Sequence, residues 1–249
     1  MPLNFIDMKG RLISKDNFEK GRSFSEDGYA PVCYDDAVGW TIIDRSGNDV
    51  LNGKTYSFIS TVYDGRCSVS VYDPKTHIDY FYIMDVKTGE LLNKEPFHRL
   101  EYEGAGIYRV SNFSNTRVRF INSDAQYIND DVYDAASTTF GTKGVSAVRI
   151  GTKCNLLRPD GTYCSDVWFD AMANIRGTSC FNVRLEGYGN NIIDVHGKML
   201  SSVWFTDTGE RLISKSVIRL YRDKQNNVWV FKAEGDSGIV VPSNKADFL

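Results

Sequence analysis

At residues 165–170 the chain reads "SDVWFD", and at residues 201–206 it reads "SSVWFT". Val167-Trp168-Phe169 returns as Val203-Trp204-Phe205, 36 residues on. An apolar triplet spelled twice at that distance is either a binding motif or one tooth of a tandem repeat. The neighbouring residues decide for the repeat. Gly161 stands eight residues before Phe169 and Gly197 eight before Phe205, and the same spacing joins Gly10 to Phe18 and Gly89 to Phe97. Gly47 precedes Tyr56 by nine, and Ala125, in the place of a glycine, precedes Tyr133 by eight.

Ahead of each of these turns comes an apolar pair: Phe5-Ile6, Ile42-Ile43, Ile83-Met84, Phe120-Ile121, Leu156-Leu157 and Ile192-Ile193. Three residues past each turn comes one more apolar position: Ile13, Val50, Leu92, Ile128, Cys164 and Leu200. The steps between turns are 37, 42, 36, 36 and 36 residues. The reading is a single repeat domain over residues 1–249, with repeats at 3–39, 40–79, 80–117, 118–153, 154–190 and 191–225. A partial seventh, 226–249, holds "NNVWVFKAEG".

The chemistry of one repeat predicts three short strands. A short apolar strand meets Asp-x-x-Gly, as from Asp7 to Gly10 and from Asp194 to Gly197. Asp bonds its own backbone in a tight turn, and Gly takes the positive φ that such a turn needs. A second strand follows ("RLIS", "ELLN", "KMLS"), then an irregular stretch with the aromatic residue. The third strand alternates with a period of two, as in "CFNVRLE". No helical stripe is sustained over three turns, so the class is all-β. One repeat cannot bury its own apolar face, so neighbours must stack and share a core. Three strands fall short of the four in a propeller blade, which favours an open stacked β-repeat array over the alternative, a closed β-propeller-like ring.

Composition excludes several classes. With 249 residues, 42% of them hydrophobic, the chain can bury a sizeable core. A net charge of −3 argues against a dedicated nucleic-acid or membrane binder. No apolar run approaches bilayer-spanning length. The first repeat begins at Leu3, so no signal peptide is expected. Five cysteines without a C-x-x-C pair point to a reducing compartment, so the expected location is the cytoplasm.

The order of apolar pair, Asp-x-x-Gly, short strand, aromatic and Gly-x-x-x-Val resembles the WG β-repeat proteins of bacteria and their phages. "NFIDMKGRLISKDNFEKGRSFSEDGYAPV" at residues 4–32 and "NIIDVHGKMLSSVWF" at 191–205 carry the resemblance best. The Trp-Gly dipeptide that names that family is absent here, and only Gly39-Trp40, reversed, sits at a repeat junction. The resemblance implies a repeat scaffold and supplies no catalytic residues.

Several motifs invite a chemical reading. "GDSG" at residues 235–238 matches the nucleophile motif of chymotrypsin-like proteases, but no histidine motif accompanies it, and no base is expected within reach of Ser237. The segment is expected to be a turn. His77, His98 and His196 share no register and have no partner at metal-ligand spacing, so each is expected at the surface. Asp7, Asp44, Asp85 and Asp194 hold fixed places before the turn, which suits backbone capping. No cofactor or metal is called for.

One pattern exceeds what a scaffold needs. Arg109, Arg149, Arg184 and Arg219 each sit between two apolar residues in the third strands of four consecutive repeats. In register, they would form a stripe able to bind an anion, or be paired with nearby acids on a solvated face. The expected function is a non-enzymatic binding protein that meets a protein partner through an extended surface. Two other classes stay open: capture of a small anionic, nucleotide- or phosphate-like ligand by the arginine stripe, and an enzyme acting on glycans or phosphodiesters.

Overall fold

The computed structural model describes residues 3–114, 116–137, 140–213, 216–234 and 237–243, without the side chains of 207–220 and 234. The protein is all-β and forms several small antiparallel sheets. The chain divides into an N-terminal unit, Met1–Asp131, and a C-terminal unit, Val132–Leu249. The division falls inside the repeat read at 118–153.

Three sheets make up the N-terminal unit. The first joins β1 (Lys20–Gly21), β2 (Tyr29–Cys33) and β3 (Trp40–Asp44). The second joins β4 (Phe58–Ile59), β5 (Arg66–Asp73), β6 (Ile78–Asp85) and β7 (Glu90–Leu91). The third joins β8 (Arg99–Gly104), β9 (Ile107–Ser111) and β10 (Val118–Asn122). In the C-terminal unit, β11 (Ala135–Ala136), β12 (Ser146–Ile150) and β13 (Lys153–Leu157) form one sheet, with the short helix α1 (Phe140–Lys143) between its first two strands. The other sheet runs in chain order through β14 (Ala171–Asn174), β15 (Cys180–Leu185), β16 (Gly189–Asp194), β17 (Phe205–Ile213), β18 (Ser216–Asp223), β19 (Val228–Glu234) and β20 (Ser237–Pro242).

The repeat is written in the backbone hydrogen bonds. The post-turn amides of Ile13, Val50, Leu92, Ile128, Cys164 and Leu200 donate to the carbonyls of Phe5, Ile42, Ile83, Phe120, Leu156 and Ile192, at 2.8–3.1 Å. Each acceptor is the first member of an apolar pair. Carboxylates cap the turns as expected: Oδ1 of Asp7 accepts the amides of Lys9 and Arg11, and Asp44 and Asp194 repeat the pattern. Asp85 caps Thr88 instead, and Asn122 and Asp223 cap turns that lack the Asp-x-x-Gly spelling.

The turn glycine also lets repeats pack. Gly47 and Gly197 have φ of 79° and 83°, and a Cβ on either would collide with a backbone carbonyl, that of Ile13 or Cys164 respectively. Those carbonyls belong to the post-turn positions of the preceding repeat. Gly10 has φ 76° with open space around it, so only conformation constrains it.

Two details differ from the expected repeat. The second strand is mostly a single bridged pair, such as Ile6 with Leu12 and Ile193 with Met199, because the chain leaves the ladder at once to deliver its aromatic residue. The sheets also straddle the repeat boundaries. Each pairs the third strand of one repeat with the first strand of the next, as β2 with β3 and β15 with β16. Consecutive repeats therefore share cores. One cluster draws Ile42, Ile59, Val69 and Met84 together, and another Leu156, Phe169, Val183 and Ile193. Phe18, Tyr133, Phe169 and Phe205 are at most 1% exposed, while Tyr56 and Phe97 are half-buried.

Candidate functional site

The 42-residue step, the longest in the chain, lies between the turns at Gly47 and Gly89. Its extra residues lengthen one hairpin: β5 and β6 have eight residues each, against five in each of β2, β3, β9 and β10. At the tip, Asp73 accepts the amide of Lys75 and the hydroxyl of Thr76, and these bonds hold its carboxyl below the ordinary value, the Lys75 amide most of all. His77 closes the tip at φ 57°, a left-handed conformation that histidine tolerates better than most residues.

The lengthened hairpin helps wall a cleft of about 680 Å³ within the N-terminal unit. Phe58, Phe81 and Phe113 give it aromatic surfaces, and His77, His98, Asp79, Arg99 and Glu101 supply polar groups. Phe113 is 51% exposed and stacks on His98, with ring centres 4.1 Å apart. Phe58 meets Phe81 edge-on at 6.5 Å, and the Arg22 guanidinium lies 5.1 Å from the ring centres of both Trp40 and Phe58. Within the cleft, buried Ser70 donates to Asp79 at 3.3 Å.

A second cleft of about 470 Å³ is lined by Val38, Gly39, Trp40, Tyr56, Val71 and Tyr72 among others. Ser57 lines both clefts, and the Tyr72 hydroxyl, from the second, meets Nδ1 of His77, in the first, at 2.7 Å. Ser57 also accepts the amide of Tyr72, which closes that edge position of β5 to an added strand. The pKa of the Cys33 thiol in the second cleft is pushed up by burial, which disfavours the thiolate.

His77 and His98 share no sequence register, yet the fold sets both on one cleft. The signal in the sequence is the 42-residue step. His196 is an exposed turn residue, as expected.

The four arginines do not share one register in the repeat. In each repeat the residue two past the aromatic pairs with a fixed point of the third strand: Lys20 with Cys33, Phe58 with Ser70, Arg99 with Ser111, Ala135 with Arg149, Ala171 with Arg184, and Asp207 with Arg222. Arg149 and Arg184 are thus equivalent. Arg109 stands two residues before the equivalent Ser111, and Arg219 three before Arg222. The loops from aromatic to third strand differ in length, so a local X-Arg-X spelling does not fix register. Arg109 is also neutralised: it pairs with Glu101 and, at 2.9 Å, with the buried Glu103. Burial raises the Glu103 carboxyl, with Arg109 opposing that effect. Arg149 and Arg184 are exposed, and their side chains make no hydrogen bond or ion pair among the described residues. Asp170 lies in the small cavity beside Arg149, within electrostatic reach of Arg184. The side chain of Arg219 lies outside the described residues.

In "GDSG", Gly235 and Asp236 lie outside the described residues, and Ser237 opens β20. A carboxylate does reach its hydroxyl, that of Asp194 at 3.1 Å, contrary to expectation. Among the described residues no three His, Cys, Asp or Glu side chains gather to hold a metal ion, and no helix is long and apolar enough to cross a membrane.

No family model matches the chain, and no curated protein does. Solved structures to which it is similar include Kluyveromyces lactis Hsv2 with loop 6CD replaced, at 12% identity over 90% of this chain and 83% of that one, with a TM-score of 0.40. The Dos1 propeller is similar at 12% identity over 98% and 73%, TM-score 0.34. BamB from Moraxella catarrhalis is similar at 12% over 95% and 74%, TM-score 0.35.

Proposed function

We propose that this chain is a non-enzymatic, cytoplasmic β-repeat binding protein of WG-like design, and that its N-terminal unit grips a segment of a partner protein in the joined clefts. One observation carries the reading: Val38, Val71, Tyr72 and Phe113, each 42–51% exposed, all line these two adjoining clefts. Exposed apolar side chains gathered in one concave place mark an interaction site, whereas scattered ones do not. Rigid aromatic rings rimmed by polar groups are the composition of binding hot spots.

The charge of the unit narrows the partner. The N-terminal unit carries 20 acidic and 15 basic residues, which favours a segment whose aromatic or aliphatic anchor is flanked by Lys or Arg. Anion capture by the four arginines together has no common register to rest on.

The test is selection of random peptides on the purified protein, with affinities of the winners measured by calorimetry. Enriched peptides should carry an aromatic anchor beside basic residues. Phe113→Ser together with Tyr72→Ser should weaken them at least about tenfold while leaving the melting temperature nearly unchanged, since both rings are largely exposed. Equal affinity for the double variant would overturn the reading.

A further inference from the structure

A second cavity, of about 470 Å³, lies in the C-terminal unit where the last residue of α1, Lys143, meets the turn after β14. Asn174, Arg176, Thr178 and Ser179 line it with Lys143. The Lys143 ammonium donates to Oδ1 of Asn174 at 2.8 Å and to the carbonyl of Thr178, and it lies 5.2 Å from the ring centre of Phe181. These partners hold the ammonium in place, and none neutralises it. Burial lowers its pKa, with the Cys180 sulfur opposing that effect. Arg176 is exposed and makes no hydrogen bond or ion pair among the described residues.

The sequence around the cavity is as one-sided. Residues 135–159 and 171–185 contain no Asp or Glu, yet they carry Lys143, Arg149, Lys153, Arg158, Arg176 and Arg184. The C-terminal unit as a whole has 14 basic and 12 acidic residues, in a chain whose net charge is −3. Two cations lining one cavity without an acid repel each other until an anion joins them.

We propose that this cavity binds the phosphate group of a small polyol or sugar phosphate monoester. A phosphate dianion matches the two charges, and the planar guanidinium of Arg176 can grip two of its oxygens at once. The cavity falls within the range of small-molecule sites and exceeds what a bare phosphate fills. No apolar side chain lines it, so the rest of the ligand must be polar as well.

Calorimetric titration of the full chain with glycerol 3-phosphate, inorganic phosphate and glycerol tests the proposal. Glycerol 3-phosphate should bind saturably, inorganic phosphate more weakly and glycerol not at all, and binding should weaken as salt rises. Arg176→Gln should cost at least about tenfold in affinity, the scale of a lost charged hydrogen bond, with an unchanged melting temperature. Arg176→Lys should recover part of it. Vesicles carrying phosphatidylinositol 4-phosphate form a parallel arm: binding there that Arg176→Gln abolishes would place the same ester on a lipid. Failure of every phosphate probe to saturate, or full affinity in Arg176→Gln, would overturn the site. Equal affinity for inorganic phosphate and the ester would overturn the polyol assignment.

Discussion

The hydroxyl of Ser237 donates to Oδ2 of Asp194 at 3.1 Å, joining the start of β20 to the end of β16 across 43 residues of sequence. Oδ1 of the same buried carboxylate caps its own turn. The serine of "GDSG" therefore ties two strands together, and no imidazole nitrogen hydrogen-bonds to Ser237 or Asp194 among the described residues. Ser237→Ala should lower unfolding free energy by about 1–3 kcal/mol, as expected for a hydrogen bond to a charged group. Denaturant titration measures the loss, and a fluorophosphonate probe should leave Ser237 unlabelled.

Gly10 and Gly197 occupy the same place in the repeat and should respond differently to alanine. At Gly10 only the left-handed backbone is strained, at a cost of about 1–2 kcal/mol. At Gly197 the new Cβ also strikes the Cys164 carbonyl, so two repeats must move apart. Gly197→Ala should lower the melting temperature clearly more than Gly10→Ala, and equal shifts would argue against the close packing of turns.

Phe169 is fully buried and Phe97 half-buried, although the sequence spaces them alike. Phe169→Ala should cost about 3–5 kcal/mol, the range for a core aromatic. Phe97→Ala should cost clearly less by chemical denaturation, in proportion to the area it leaves unburied.

Glu103 has only 3% of its side chain exposed and Arg109 13%, so the pair is largely withdrawn from water. Glu103→Ala leaves the guanidinium with Glu101 as its remaining partner and should cost about 1–3 kcal/mol. Arg149→Ala, at an exposed and unpaired side chain, should stay within about 0.5 kcal/mol of the parent. Thermal unfolding of the two variants side by side distinguishes the roles that one sequence pattern gave them.

Acid should destabilise the fold through its turn carboxylates. The Arg11 amide at Asp7, the Thr162 hydroxyl at Asp160, the Lys153 ammonium at Asp170 and the Trp229 indole at Asp223 hold these carboxyls below their ordinary values. The unfolded chain then binds more protons than the folded one. The stabilisation is fully present above the unfolded carboxylate pKa of about 3.9 and is lost as pH falls through the lower folded values. Glu103, raised by burial, acts in the opposite sense: its contribution is present below its unfolded pKa and is lost as pH rises through the folded one. Melting temperatures between about pH 5 and pH 2 should fall steeply below pH 4, and less steeply in Asp223→Asn.

The sequence by itself determined the all-β class, the repeat and its turns. Apolar pair, capping aspartate, turn glycine and post-turn residue interact within about ten positions of one another, so their spacing is their geometry. The hydrogen bond from Cys164 to Leu156, eight residues back, is an example. The sharing of cores between repeats was legible too, because a repeat this short has no other way to bury its apolar face.

Only the tertiary structure decided which side chains meet. Register between strands depends on the loops that join them, and those loops vary in length, so Arg109 falls on Glu103 while Arg149 and Arg184 face water. His77 and His98 come to one cleft because the extra residues of one repeat lengthen β5 and β6. Lys143 and Arg176, 33 residues apart, line one cavity because the end of α1 lies against the turn after β14. Such encounters are set by the packing of distant strands, which local periodicity does not encode.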